Sequence, residues 1–176
     1  MESESNLRVS PKGIDYHFYL TGEIQEPEAY TDMFDVMSKA SPEDTVFLHI
    51  NTPGGYLYTA IQIIHSIKTC PAAVVGCADG EVSSAGSLIF FGCDGFIVGD
   101  YSSFLLHDGS EGIGGKANEN VKAAKATAKL LKIVSRDVYG RFFAKKEIKK
   151  ILAGEDMYLF AEDVAERIEK ATKEEE

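Results

Sequence analysis

A proline followed by two glycines, in Asn51-Thr52-Pro53-Gly54-Gly55, separates two runs of different periodicity. Residues 45–50 before it are mostly apolar and short, the pattern of a buried strand. After it Leu57, Ala60, Ile61, Ile64 and Ile67 recur at helical spacing, and Pro71 stands just beyond the end. A strand turned directly into an amphipathic helix commits the chain to strand–helix alternation, and the remaining segments obey it. Strands are expected over 17–20, 72–78, 97–99, 103–107 and 157–160. Helices are expected over 27–40, from about 57 to 68, from 84, and over 116–139, 145–152 and 162–170. The fold class is therefore α/β with substantial parallel pairing. The 116–139 helix places Val121, Ala124, Ala128, Leu131 and Val134 or Ser135 on one face. It follows closely on His107, so it is expected to project from the core.

With 176 residues, the chain has length for one compact domain, assigned to 16–170, between a flexible segment 1–15 and an acidic tail 171–176. A net charge of −10 argues against nucleic acid and against an anionic membrane surface as partners. The longest apolar stretches are far too short to span a bilayer. Met1-Glu2-Ser3-Glu4-Ser5 lacks the apolar core of a secretory signal, so a cytoplasmic setting is expected. Cys70, Cys77 and Cys93 have no metal-like spacing and read as reduced, buried small hydrophobes, so no metal or cofactor is expected. The glycine-rich loop 109–115 lacks the lysine of a phosphate cradle.

One constellation carries chemistry. Gly80-Glu81-Val82-Ser83-Ser84-Ala85-Gly86-Ser87 places serines where a strand passes into a helix. There, free amides and the helix dipole favour negative charge. A serine hydroxyl needs a base within reach and donors aimed at the developing oxyanion. His107, at the end of the apolar strand Ser103-Phe104-Leu105-Leu106, supplies an imidazole, and Asp156 supplies a carboxylate. The Ala85 amide and an amide of the Pro53-Gly54-Gly55 turn, for which Gly55 is chosen, can supply the oxyanion donors. Each piece also has an ordinary explanation: helix cap, strand terminus, solvated turn. From the residues alone Ser83 competes with Ser84.

Taken together, these motifs resemble the proteolytic subunit of the Clp protease family. Tyr19-Leu20-Thr21-Gly22 resembles its first core strand, and Ile50-Asn51-Thr52-Pro53-Gly54-Gly55 is similar to its Asn-Ser-Pro-Gly-Gly turn. Ser83-Ser84-Ala85-Gly86 resembles its Ala-Ser-Met-Gly nucleophile motif, which assigns the nucleophile to Ser84. Phe104-Leu105-Leu106-His107 is similar to the strand that delivers the histidine, and Asp156-Met157-Tyr158-Leu159 to the segment that carries the acid. The separations of 29 residues from Gly55 to Ser84, 23 to His107 and 49 to Asp156 need no gap.

The resemblance implies a ββα superhelix of the Clp and crotonase kind, with the 116–139 helix as a projecting handle. It implies a self-compartmentalising serine endopeptidase with a Ser84-His107-Asp156 triad, built as a homo-oligomer of heptameric rings stacked in pairs and fed by an AAA+ unfoldase. Polypeptide substrate would lie along Gly54 and Gly55 and beside Gly112 and Gly114. Several residues depart from the family pattern. Glu155 replaces an arginine used between rings. His49 replaces one of the aromatics that line the unfoldase docking pocket, although Phe47 keeps another. Ala85 stands where methionine is usual, and the short acidic N-terminus does not resemble the family's axial loop. These departures motivate an alternative, a catalytically silent ring or scaffold subunit. A crotonase-type acyl-CoA enzyme would not need Ser84, His107 and Asp156 together.

Overall fold

The structure, a computed structural model, describes residues 13–109 and 117–173. Within them β1 (Asp15–Thr21), β2 (Thr45–Thr52), β3 (Ala73–Ser83), β4 (Gly95–Val98), β5 (Ser103–Leu106) and β6 (Met157–Phe160) form one sheet. They alternate with α1 (Thr31–Lys39), α2 (Leu57–Thr69), α3 (Ala85–Phe91), α4 (Ala117–Tyr139), α5 (Lys145–Ile151) and α6 (Ala161–Lys173). The strand order is β1-β2-β3-β5-β6, with β4 joined to β3 off this path. All pairs are parallel except β5 with β6. The α/β class with substantial parallel pairing follows the expectation.

Two features of β3 position the site. The strand is longer than the 72–78 expected, because it has a different neighbour along each half. Val75 to Ala78 pair with β4, and Glu81 to Ser83 pair with β5. Between them the side chain of Asn51 supports the backbone. Its Oδ1 accepts the Glu81 amide at 3.0 Å. A Cβ on Gly80 would stand 2.7 Å from that same oxygen, so only glycine leaves room for it.

The inner face of the sheet is apolar by simple alternation. Val46, Leu48 and Ile50 of β2 are fully buried, while Thr45, Phe47 and His49 face outward. α2 contributes Ala60, Ile63, Ile64 and Ile67 to the same core. Its inward stripe is thus centred on Ile63, with Ile61 only half-buried. All seven residues of α3 are buried. Its Phe90 and Phe91 meet Phe96, Phe104, Tyr139, Phe142 and Phe143 in a cluster with ring centroids 5.1–6.0 Å apart.

The expected 27–40 helix divides into a 3₁₀ turn, Pro27–Tyr30, and α1. In α4, Leu131, Ser135, Val138 and Tyr139 are buried, whereas Val121 and Ile133 remain 54% and 56% exposed. The Val121 end of the expected stripe therefore meets solvent in the single chain. α6 continues past Lys170 to Lys173, because Ala171, two turns after buried Val164, is also buried. The N-terminal segment as far as residue 12, the tail from residue 174, and Gly112 and Gly114 lie outside the described residues. Among the described residues no helix is long and apolar enough to cross a membrane.

Candidate active site

Two strand-to-helix turns meet at the end of the sheet. Ser84 sits between β3 and α3 with φ 54° and ψ −120°, and it is the one non-glycine residue with positive φ among those described. That conformation is costly for an L-residue and persists only where surrounding contacts enforce it. Here the Ser84 amide donates to the Leu105 carbonyl at 2.8 Å. The Ser84 carbonyl accepts the Ser87 hydroxyl at 2.7 Å and the Ser87 amide at 3.0 Å. Having spent its proton on Ser84, the Ser87 hydroxyl accepts from the buried Tyr139 hydroxyl at 2.8 Å. Burial pushes the Tyr139 phenol far above its ordinary value, so it stays a donor.

The strain aims the Ser84 side chain away from a capping role: it makes no side-chain cap hydrogen bond to α3. Its Oγ instead lies 2.7 Å from His107 Nε2, just past the end of β5. With Ser84 as donor, the imidazole carries its own proton on Nδ1. Ser83 is buried and donates to Glu81 Oε1 at 2.9 Å, so it faces away from the imidazole. Of the two serines, Ser84 is the one whose hydroxyl meets the imidazole.

The second turn is built from Pro53-Gly54-Gly55. A Cβ on Gly54 would stand 2.6 Å from Ser84 Cβ and 3.1 Å from Ser84 Oγ, so the two turns touch and only glycine fits. Gly54 and Gly55 have φ of 109° and 143°, values that disfavour side chains. The turn is fastened on three sides. Gly54 donates to Thr52 Oγ1 at 3.0 Å, its carbonyl accepts Ile24 N–H at 2.7 Å, and Tyr56 donates to the Ile24 carbonyl at 3.0 Å. Among the described residues the amides of Gly55 and Ala85 donate to no acceptor. Beside them, a hydrogen bond from the Tyr56 hydroxyl to Glu26, with Glu23 also nearby, pushes the Tyr56 phenol up.

Asp156 is placed differently. It is exposed, one step before β6. The antiparallel register that pairs Leu106 with Met157 would set His107 opposite Asp156 if continued by one residue. Among the described residues, however, no hydrogen bond joins the Asp156 carboxylate to His107. The structure thus brings Ser84, His107, Gly54, Gly55 and Ala85 together, and sets Asp156 alongside without engaging it. Sequence reasoning missed Ser87, Tyr139, Thr52 and Ile24, which hold the two turns. Thr52 lies within the turn motif and could have been flagged. Nothing in the periodicity marks Tyr139, 52 residues beyond Ser87. Among the described residues no three His, Cys, Asp or Glu side chains converge as metal ligands.

Comparisons with known proteins agree with this architecture. The family described as Clp protease matches residues 15–166. The chain is 32% identical over 104 residues to the ATP-dependent Clp protease proteolytic subunit 3 of Rhodococcus jostii (strain RHA1), a match covering 56% of this chain and 50% of that protein. It is 30% identical over 106 residues to the ATP-dependent Clp protease proteolytic subunit 2 of Pseudomonas aeruginosa (strain PAO1), covering 57% of this chain and 51% of that protein. The chain thus spans about half the length of the curated relatives it matches. With the family pattern extending over most of the sequence and over both glycine turns, Ser84 and His107, the chain belongs to the Clp protease family.

Proposed function

We propose that this chain is a serine endopeptidase that cleaves unfolded polypeptide. The observation that carries the reading is the 2.7 Å contact between Ser84 Oγ and His107 Nε2 at a strained turn, beside two amides without acceptors. Ser84 attacks the peptide carbonyl as His107 takes its proton. The carbonyl oxygen, now an anion, is held by the amides of Gly55 and Ala85. His107 then protonates the leaving amine, and water repeats the cycle on the acyl-enzyme. Substrate lies extended along Gly54 and Gly55, and the family resemblance adds Gly112 and Gly114 as further substrate-binding residues. Asp156 holds the imidazole tautomer once its carboxylate turns onto Nδ1. The active form is a cytoplasmic assembly of heptameric rings stacked in pairs, with an AAA+ unfoldase delivering substrate. α4 serves as the handle between rings.

The test is intact-mass analysis after treatment with a fluorophosphonate probe. Wild type should gain one adduct and Ser84→Ala none, and peptide turnover should fall about a million-fold in Ser84→Ala. Asp156→Asn should lose about ten-thousand-fold if the carboxylate completes the triad. The unengaged Asp156 favours a second reading, a catalytically silent ring or scaffold subunit. Ordered oligomers that never take up the probe would establish that reading and overturn the first.

A further inference from the structure

Where α4 ends and α5 begins, the surface carries charge opposite to that of the molecule as a whole. Residues 136–150 hold six cationic and two acidic side chains in a chain of net charge −10. Both acids are committed elsewhere. Asp137 pairs with Lys68 of α2, and Glu147 with Arg167 of α6 at 2.9 Å. Lys150 is taken by Glu155 at 3.1 Å. Arg136, Lys145 and Lys149 have no acidic partner among the described residues, and all three line a groove of about 420 Å³. Phe143 and Ile148, each 4% exposed, and Gly140 complete its lining. Arg167, its charge balanced by Glu147, stacks over the Phe143 ring at 4.5 Å. The volume lies within the range of ligand clefts, about 300–1,000 Å³.

We propose that this groove docks an acidic peptide segment of a partner protein, with one apolar side chain over Phe143 and Ile148 and carboxylates on Arg136, Lys145 and Lys149. Three exposed cations around a small apolar lining fit a peptide carboxylate pattern. A long nucleic acid would meet the net negative charge of the remaining surface. The groove is distinct from the Ser84 site, so the proposal does not depend on catalysis. Within the docked segment, the charges set encounter rate and orientation, while the apolar side chain contributes burial.

The test uses a fluorescein-labelled peptide, acetyl-Glu-Glu-Leu-Glu-Glu-amide, read by fluorescence anisotropy. Saturable binding is expected, weakening as salt rises from about 0.05 M to about 0.3 M. The double variant Lys145→Glu, Lys149→Glu should lower affinity at least tenfold, and glycine in place of the peptide's leucine at least threefold. Circular dichroism and the thermal midpoint establish that the variant is folded. A photoreactive leucine analogue should cross-link within 136–149. The proposal is overturned if the peptide does not bind, if the double variant binds it equally well, or if cross-links map elsewhere. Equal binding of the lysine counterpart peptide, or preferential binding of a duplex DNA oligonucleotide that displaces the acidic peptide, would also overturn it.

Discussion

Ser84 holds its conformation because Leu105 and Ser87 hold its two peptide groups, and Ser87 is itself held from far along the chain. Tyr139 donates to Ser87, which donates to the Ser84 carbonyl. Tyr139→Phe removes the far end of that relay without opening a cavity. It should cost about 1 kcal/mol of stability. It should also slow probe labelling of Ser84 several-fold while leaving peptide KM nearly unchanged, which stopped-flow labelling and steady-state kinetics would separate. A purely structural role for Tyr139 would move the unfolding midpoint alone. The pairing of Ser84 with His107 was legible in the sequence because short motifs carry both residues. The relay was not, since a hydrogen bond between residues 52 apart leaves no local pattern. The Asp156 carboxylate shows the opposite limit. Sequence placed it beside His107, and the strand register agrees, yet register fixes a backbone and leaves a side-chain rotamer free.

At the scale of elements, the aromatic cluster under α3 decides stability. Phe104 is 1% exposed and packs against both Phe90 and Phe91. Phe104→Ala should destabilise by about 3–5 kcal/mol, seen as a lower urea midpoint. Another joint ties β1 to the turn before β2. Asp44 accepts the Ile14 amide at 2.7 Å and the Ser41 amide at 2.8 Å, and these bonds hold its carboxyl below the usual range. The Arg167 guanidinium beside Glu147 does the same there, joining α5 to α6. A depressed folded-state value means that the unfolded chain binds the proton more readily. The stabilisation is therefore complete above the unfolded values, about 4 for both, and is lost as pH falls through the lower folded values. Urea midpoints should drop on acidification through that window, and Asp44→Asn should flatten the drop. Helix and strand periodicity made most elements readable, and the errors have tertiary causes. β3 runs past 78 because β5 offers its second half a partner. The stripe of α2 turns toward Ile63 because a helix rich in isoleucine has an apolar face wider than the true contact.

On the scale of the whole molecule, Val121 and Ile133 of α4 together with Tyr158 and Phe160 of β6 leave large apolar side chains in solvent on a single chain. Native mass spectrometry should find assemblies whose masses are multiples of 19.2 kDa, with fourteen-fold multiples if rings stack in pairs as proposed. Cys93, by contrast, is sealed, and burial raises its thiol far above the ordinary value. It should resist Ellman's reagent in the native protein and react fully in urea. The contact of Gly54 with Ser84 has a consequence in time. The two turns belong to different strands, and His107 arrives from a third. No fragment of a growing chain that stops short of His107 can hold Ser84, the imidazole and both free amides together. Under the proposed function such a polypeptide is inert while it is being made, and it gains reactivity only when distant segments have docked in register. Probe labelling during refolding would then serve as a clock, starting when β5 docks beside β3 and brings in His107.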